Sequence, residues 1–517
     1  MSAAVSFGNT PEHFFTKILS GPSLLKYIKK CRWFSGKAKV IKKINVYDRI
    51  FIPCNEKKYC IFLFEIFYYN SPSEIYSLPV TYGRRAPSEK YLIKKINFSG
   101  LEYFIYDALI DKKFRDLWFS LFSANARVIG ELGIMHFNSR IRKKEVCGHT
   151  SSRLFEAEQT NSSILYEKKY FMKFYRKISG GITPEAGILK HLADRTRFRK
   201  VPEFVGFCEY ENSCGESASV ALMQRYIPNN GAAWGYMLEM IESFFRICAK
   251  KCVSKSDIVD AGAIRSFAAL RFKQKTSLLA RRTAQFHLAM YSSTDKYFAP
   301  VTFNLSDRER FFKSAKKTLI QNLNFLKENL HKLKSEDRIL GAELLHLPSE
   351  FINVYKNIFD KGICFKKIIA HGDYHLGQIL TDGSDFYIID FEGEPMRTAE
   401  ENRMKKPALQ DVAGMLRSFH YAGHEVIKNL KNVETKILEN IFGIWYEEAK
   451  RIFLNSYISA SSGKDFIPHS ESHFQALLDC LLLDKAVYEL GYELNNRPDW
   501  VSIPLRGIKD ILFKRQN

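Results

Sequence analysis

The sequence predicts an α+β protein of two lobes, β-rich up to about residue 228 and mostly helical beyond it. Three observations predict it. Strand-like stretches of β-branched and aromatic residues recur at Ile50–Pro53, Tyr59–Tyr69 and Ile75–Val80. Three more strands and a helix follow between residues 153 and 193. After Ile227-Pro228-Asn229-Asn230-Gly231 the apolar spacing becomes helical.

Each element follows in order. The basic stretch Lys26–Arg49 mixes its charges with Ile28, Trp33, Phe34, Val40, Ile41, Ile44 and Val46, which reads as folded structure with solvated basic edges. Arg153–Glu158 reads as a strand, Gln159–Ser162 as a turn of small polar residues, Ser163–Tyr166 as a second strand and Tyr170–Arg176 as a third. Gly180-Gly181 ends that run, and Pro184 opens a helix through Ala193, since proline suits a first helical turn. Leu319, Leu323, Leu326, Leu330 and Leu333 mark an amphipathic helix whose stripe is core rather than a partner coil. Late in the chain, Leu483, Val487, Leu490 and Leu494 form the apolar face of another helix. The domain boundaries expected are 1–125 for a β-rich cap, 126–228 for the rest of a small lobe with its hinge, and 229–517 for a helical lobe.

Composition bounds the function. With 517 residues, 46% hydrophobic and 14% aromatic, the chain has ample core and is not disordered. The net charge of +22 is dispersed, which argues against a nucleic-acid surface and suits a lysine-rich background. No apolar run reaches the roughly 18 residues of a membrane span. The first residues lack a basic region followed by an apolar stretch, so the expectation is a cytoplasmic protein without membrane contact. The ten cysteines include no C-x-x-C pair, and reduced thiols are the expected state.

The chemistry concentrates between Phe365 and Tyr421. An apolar run, Ile368–Ala370, delivers His371-Gly372-Asp373-Tyr374-His375-Leu376-Gly377-Gln378. A second run, Phe386–Ile389, ends in Asp390-Phe391-Glu392-Gly393-Glu394-Pro395. Asp373, Gln378 five residues on, and Asp390 12 residues later come close to the phosphotransfer arrangement of the protein-kinase-like fold, in which an Asn follows the catalytic-loop Asp by five residues and a metal-binding Asp comes later. Asp373 is the candidate base, able to orient an acceptor hydroxyl and take its proton. Gln378 and Asp390 are candidate ligands of magnesium, which prefers hard oxygens. The bland alternative is a turn with an N-cap aspartate, and the upstream three-strand lobe weighs against it.

In that lobe Lys173, flanked by Phe171, Met172, Phe174 and Tyr175, is the candidate phosphate-gripping ammonium; an edge lysine snorkelling to water is the competing reading. The turn from Gln159 has no glycine, so hydroxyls and amides of Gln159, Ser162 and Ser163 would cover the nucleotide phosphates. Met223–Ile227, with Arg225 and Ile227, stands where a hinge backbone would meet adenine. On the late helix, Lys485, Glu489, Tyr492 and Asn496 recur on one face that runs into Arg497 and Trp500, a pattern suited to sugar hydroxyls and a stacking ring, or to a solvated face.

These motifs, with Asp411–Phe419, resemble bacterial maltokinases, ATP-dependent kinases with an aminoglycoside-phosphotransferase-like bilobal fold. Arg32–Lys37, Glu158–Ser163, Arg281–Ala284 with His287-Leu288, Tyr492–Trp500 and Ile503–Gly507 resemble further family segments in order along nearly the whole chain. The resemblance implies ATP and Mg2+ as cofactors and maltose as acceptor, phosphorylated at its anomeric hydroxyl for glucan synthesis from trehalose-derived maltose. His371, Glu392, Arg417, Tyr492, Asn496, Arg497 and Trp500 become substrate-site candidates, and a trehalose synthase becomes a candidate partner of a monomer or small homo-oligomer. Two positions depart: Gly187 stands where the family places the glutamate that pairs the lysine, with Glu185 two residues earlier, and His420 stands where it tends to have Asp. An aminoglycoside-type phosphotransferase and a degenerate kinase acting as a scaffold are the alternatives.

Overall fold

A computed structural model describes residues 21–54, 58–98, 100–141, 151–155, 160–251, 260–267, 270–360, 363–393, 399–461 and 463–513. The chain divides into two compact units, residues 1–190 with 202–228, and residues 191–201 with 229–517.

The first unit holds two antiparallel sheets. Helix α1 (Pro22–Lys30) precedes β1 (Ile41–Ile52), β2 (Tyr59–Tyr68), β3 (Glu74–Gly83), β4 (Leu92–Phe98) and β5 (Leu101–Asp107). They form a sheet ordered β1-β2-β3-β5-β4, with β11 (Lys177–Ile178) also pairing β3. The first strand starts at Ile41, not Ile50. Lys42 and Lys43 lie exposed at this sheet edge, where charge guards unpaired backbone, and that outward charge hid the strand from an apolar reading. Leu24, Tyr27 and Ile28 of α1 are buried in one core with Phe62, Phe64, Tyr76 and Leu78.

Helix α2 (Lys112–Ser123) leads to the second sheet. Its strands are β6 (Arg127–Ile129), β7 (Gly133–Ser139), β8 (Ser152–Phe155), β9 (Asn161–Tyr166), β10 (Tyr170–Tyr175), β12 (Phe204–Asn212) and β13 (Ser217–Arg225). Their order is β6-β7-β12-β13-β10-β9-β8, which leaves β10 paired on both sides. Trp118 of α2 packs on Phe137 and Phe174, its centroid 4.9 Å and 5.5 Å from theirs. Two expectations shift here. Strand β9 begins at Asn161, so Ser162 lies in a strand rather than a turn, and β13 runs to Arg225, which confines the connection to the residues after it. Helix α3 (Pro184–Arg195) starts at the proline that predicts it.

The second unit is helical. In order come α4 (Ala233–Lys251), α5 (Ala261–Phe267), α6 (Leu270–Tyr291), α7 (Leu305–Asn329), α8 (Ser335–Leu345), α9 (Pro348–Asp360), α10 (Ala399–Arg403), α11 (Leu409–Asn429), α12 (Thr435–Ser461), α13 (Glu471–Asn496) and α14 (Ser502–Phe513). Two short ladders interrupt them: β14 (Val301–Thr302) with β15 (Lys366–Lys367), and β16 (Ile379–Thr381) with β17 (Phe386–Ile388). The predicted apolar faces are core: Leu319 and Leu326 of α7 and Leu483, Val487, Leu490 and Leu494 of α13 are buried. No described helix is long and apolar enough to cross a membrane. The eight cysteines among the described residues are free thiols.

Candidate active site

In the first unit, Lys173 lies mid-strand on β10, opposite Ser163 of β9 and Leu222 of β13. Its ammonium meets both carboxylate oxygens of Glu185, at 3.0 and 2.9 Å, with side chains only 8% and 1% exposed. This answers the Gly187 departure: Glu185, in the first turn of α3, supplies the partner that the alignment places two residues later. A buried lysine needs such a counter-charge, so the snorkelling reading is excluded. Ser162 and Ser163 both lie within strand β9 rather than on a turn. Ser162 Oγ accepts a bond of 2.8 Å from Arg176, and Ser163 is fully buried. Gln159, Glu394 and Pro395 lie outside the described residues. Arg225 stacks its guanidinium 4.7 Å from the Tyr170 ring, and the Tyr226 amide donates to the Lys169 carbonyl, so β13 leaves the sheet just before Ile227.

In the second unit the loop 371–378 between β15 and β16 carries Asp373 and Gln378. Helix α11 holds it through residues spaced three and four apart on one face. The Asp411 carboxylate accepts the amides of His371 and Gly372 at 2.7 and 2.9 Å, and Ser418 Oγ accepts the Leu376 amide at 3.1 Å. Gly414 lies between them, and a Cβ there would stand 2.5 Å from the Tyr374 carbonyl oxygen, so only glycine permits the approach. Asp411 is buried and also bonds His287 Nε2 at 3.0 Å, while His287 Nδ1 meets the Tyr457 hydroxyl at 2.8 Å. Burial pushes the Asp411 carboxyl up, but His287 and the loop amides outweigh it and hold the group below the usual range. Gly372 adopts φ +88°, a conformation glycine reaches without strain.

His371 is a correction. Its ring is buried, Nε2 donates to the Ile389 carbonyl at 2.8 Å and Nδ1 accepts the Asp373 amide at 3.3 Å. Both nitrogens are therefore engaged in shaping the loop, and none is left for a substrate. Asp373 faces the His375 ring at 3.8 Å and the Lys485 ammonium at 3.6 Å. Lys485 was visible in the α13 stripe, but its partner was not, because 112 residues separate them in sequence.

Gln378 Nε2 donates to Asp390 Oδ2 at 3.0 Å. Asp390 is held at φ +65°, a region that strains a non-glycine residue by roughly 1–3 kcal/mol, and Glu392 offers a carboxylate oxygen within 4.8 Å of it. Two carboxylates and an amide oxygen are a donor set that fits a hard divalent cation.

Beyond Asp373, α13 and α11 share a polar wall. Arg417 is buried and ion-paired to Glu489 at 2.7 Å. Tyr421 donates to Glu493 at 3.1 Å, Glu493 pairs Arg497 at 2.6 Å, and the Trp500 ring stacks on Tyr421 with 6.1 Å between centroids. Tyr492 is 45% exposed, and Asn496 bonds only the Tyr492 carbonyl among the contacts seen, so the inward position of this face belongs to Glu493, which the stripe did not single out. His420 is buried and packs 5.0 Å from the Tyr446 ring.

Residues 27–111 match the maltokinase N-terminal cap domain family. A solved glucosamine kinase in complex with glucosamine, ADP and inorganic phosphate shares the fold at a TM-score of 0.64 and 15% identity, covering 96% of this chain and 99% of that one. The chain carries a maltokinase-type cap on a kinase fold. A glucosamine kinase of Mycolicibacterium smegmatis is 21% identical over 353 residues, 68% of this chain and 77% of the relative. Another, of Streptacidiphilus jiangxiensis, is 30% identical over 148 residues, which span 29% of this chain and 32% of that protein. The cap segment is similar to that of maltokinases, and the relatives and the shared fold are those of proteins named as glucosamine kinases.

Proposed function

We propose that this chain transfers the γ-phosphoryl group of ATP to a sugar hydroxyl, with the anomeric hydroxyl of maltose as acceptor and maltose 1-phosphate as product. The observation that carries the reading is the loop 371–378, pinned by Asp411 and Ser418 so that Asp373 is presented beside Lys485. Asp373 accepts the proton of the attacking hydroxyl. Lys173, oriented by Glu185, grips the nucleotide phosphates, and the backbone around Arg225 and Ile227 lies beside adenine. Gln378, Asp390 and Glu392 would hold Mg2+, which neutralises charge on the transferring phosphoryl group. Arg417 sets Glu489 for the sugar, and Arg497 and Trp500 form its outer wall.

A second acceptor, glucosamine, is favoured by the names of both relatives. The wall argues for a neutral sugar: Glu489 and Glu493 are each already neutralised by an arginine, at 2.7 and 2.6 Å. An amino sugar or aminoglycoside would need carboxylates with charge to spare. A trehalose-derived source of maltose, a trehalose synthase partner and a cytoplasmic location belong to the same proposal.

The test is an ATP-consumption screen over maltose, maltotriose, glucose, glucosamine, trehalose and an aminoglycoside, with product position read by phosphorus NMR. Maltose should give the highest kcat/KM and an anomeric phosphate. A glucosamine preference would move the acceptor, and turnover of none would favour a degenerate kinase.

A further inference from the structure

A cavity of about 570 Å3 in the second unit is not used by the chemistry above. Lys296, Arg310, Lys367, Arg403, Lys405 and Lys406 line it. Among the described residues of the lining they face three carboxylates, Asp307, Glu401 and Asp484. Asp307 is already shared by Lys367 at 2.6 Å and Arg310 at 3.6 Å. A concave surface with this excess of positive charge focuses its field on an anion. Burial and the neighbouring Lys367 hold the Lys405 ammonium below the usual lysine range, as expected where cations crowd a partly dry space.

The mouth is apolar. Tyr297, Val301 and Met404 line the cavity and are 48%, 40% and 43% exposed. The ligand that matches carries a dianionic group for the floor and a body with an apolar ring face for the rim.

The cavity also reaches the catalytic loop. Lys406 exchanges backbone bonds of 2.7 and 3.1 Å with Ile368, on the segment that delivers His371. Its ammonium is buried against Gly372, where an added Cβ would stand 2.9 Å from Nζ. Asp484 precedes Lys485, whose ammonium lies 3.6 Å from Asp373.

We propose that this cavity binds a sugar phosphate as a regulatory ligand, and that occupancy acts on the catalytic loop through Lys406. The phosphate is argued from the charge; the sugar body also rests on the sugar-kinase reading, whose product belongs to the same class.

The test is calorimetry on the full chain without ATP or acceptor, using glucose 6-phosphate, glucose, inorganic phosphate and AMP as probes. Glucose 6-phosphate should bind and glucose should not. Its affinity should fall at least tenfold in the Arg310→Ala/Lys405→Ala variant, which removes two of the lining cations, and should stay unchanged in Asp373→Asn. Added glucose 6-phosphate should change velocity at saturating ATP and acceptor in the wild type and not in the double variant. Absence of binding, or binding indifferent to the double substitution, would overturn the site. Inorganic phosphate binding as tightly as glucose 6-phosphate would overturn the sugar body, and AMP binding more tightly would overturn the sugar class. Binding lost in the double variant of a protein that phosphorylates no sugar would uphold the anion site while removing the proposed function.

Discussion

The two units prepare their charged groups in opposite ways. In the first, Lys173 and Glu185 are neighbours in space and fix one another, both inside the packed sheet and helix. In the second, Asp373 is one-fifth exposed, and its position comes from backbone bonds to a different residue, Asp411, in a helix 38 residues further on. A mutual pair couples function to stability, because either partner alone is a buried charge. A positioned loop separates them: the residue that is presented can be changed without unfolding, and the residue that holds it cannot.

That contrast is broken most severely at Asp373. Asp373→Asn should lower turnover by roughly 10²–10⁴-fold, the usual worth of a general base, with nucleotide binding and melting temperature preserved. A coupled ADP assay beside a thermal melt checks both. A collapse of stability would show that Asp373 is structural and remove the contrast.

The holding residue should behave in reverse. Asp411→Ala leaves two buried loop amides and His287 without their acceptor, so denaturant titration should show a loss of about 3–5 kcal/mol together with lost turnover. Retained stability with lost turnover would make Asp411 a reacting group instead.

Lys173→Met should fall between these two. The ATP Michaelis constant should rise several-fold, and about 3 kcal/mol of stability should go, since Glu185 remains only 1% exposed. Glu185→Gln should change both in the same direction by less. Normal ATP kinetics in Lys173→Met would leave the pair purely structural.

The smallest effect expected is a pH slope from outside both sites. Burial holds the His424 imidazole down at about 3, with Arg506 and Arg417 adding to the shift. An unfolded histidine titrates near ~6.5. Between those values the unfolded chain binds the extra proton, so this contribution is complete above about pH 6.5 and is lost as pH falls toward 3. The melting temperature should drop by roughly 1 °C per pH unit below 6. His424→Gln should flatten that slope without touching kcat, and an unchanged slope would assign the acid sensitivity elsewhere.

Much was legible in the sequence because it is written locally. Loop–strand–aspartate spacing from His371 to Asp390, the proline opening α3 and the leucine faces of α7 and α13 all depend on neighbours within a few turns. Residue type and spacing decide such features, since helix and strand periods are properties of the backbone itself. What only the tertiary structure decided are the pairings across long chain separation. It gave Lys173 the glutamate at 185 despite Gly187, turned His371 inward, set Lys485 beside Asp373 and put Glu493 rather than Tyr492 on the buried side of the wall. Each is a choice among side chains of similar chemistry, made by which of them packing brings within 3–4 Å of a buried charge. No local period encodes that choice, because it is settled by the high cost of leaving a charge or an amide in the core unmatched.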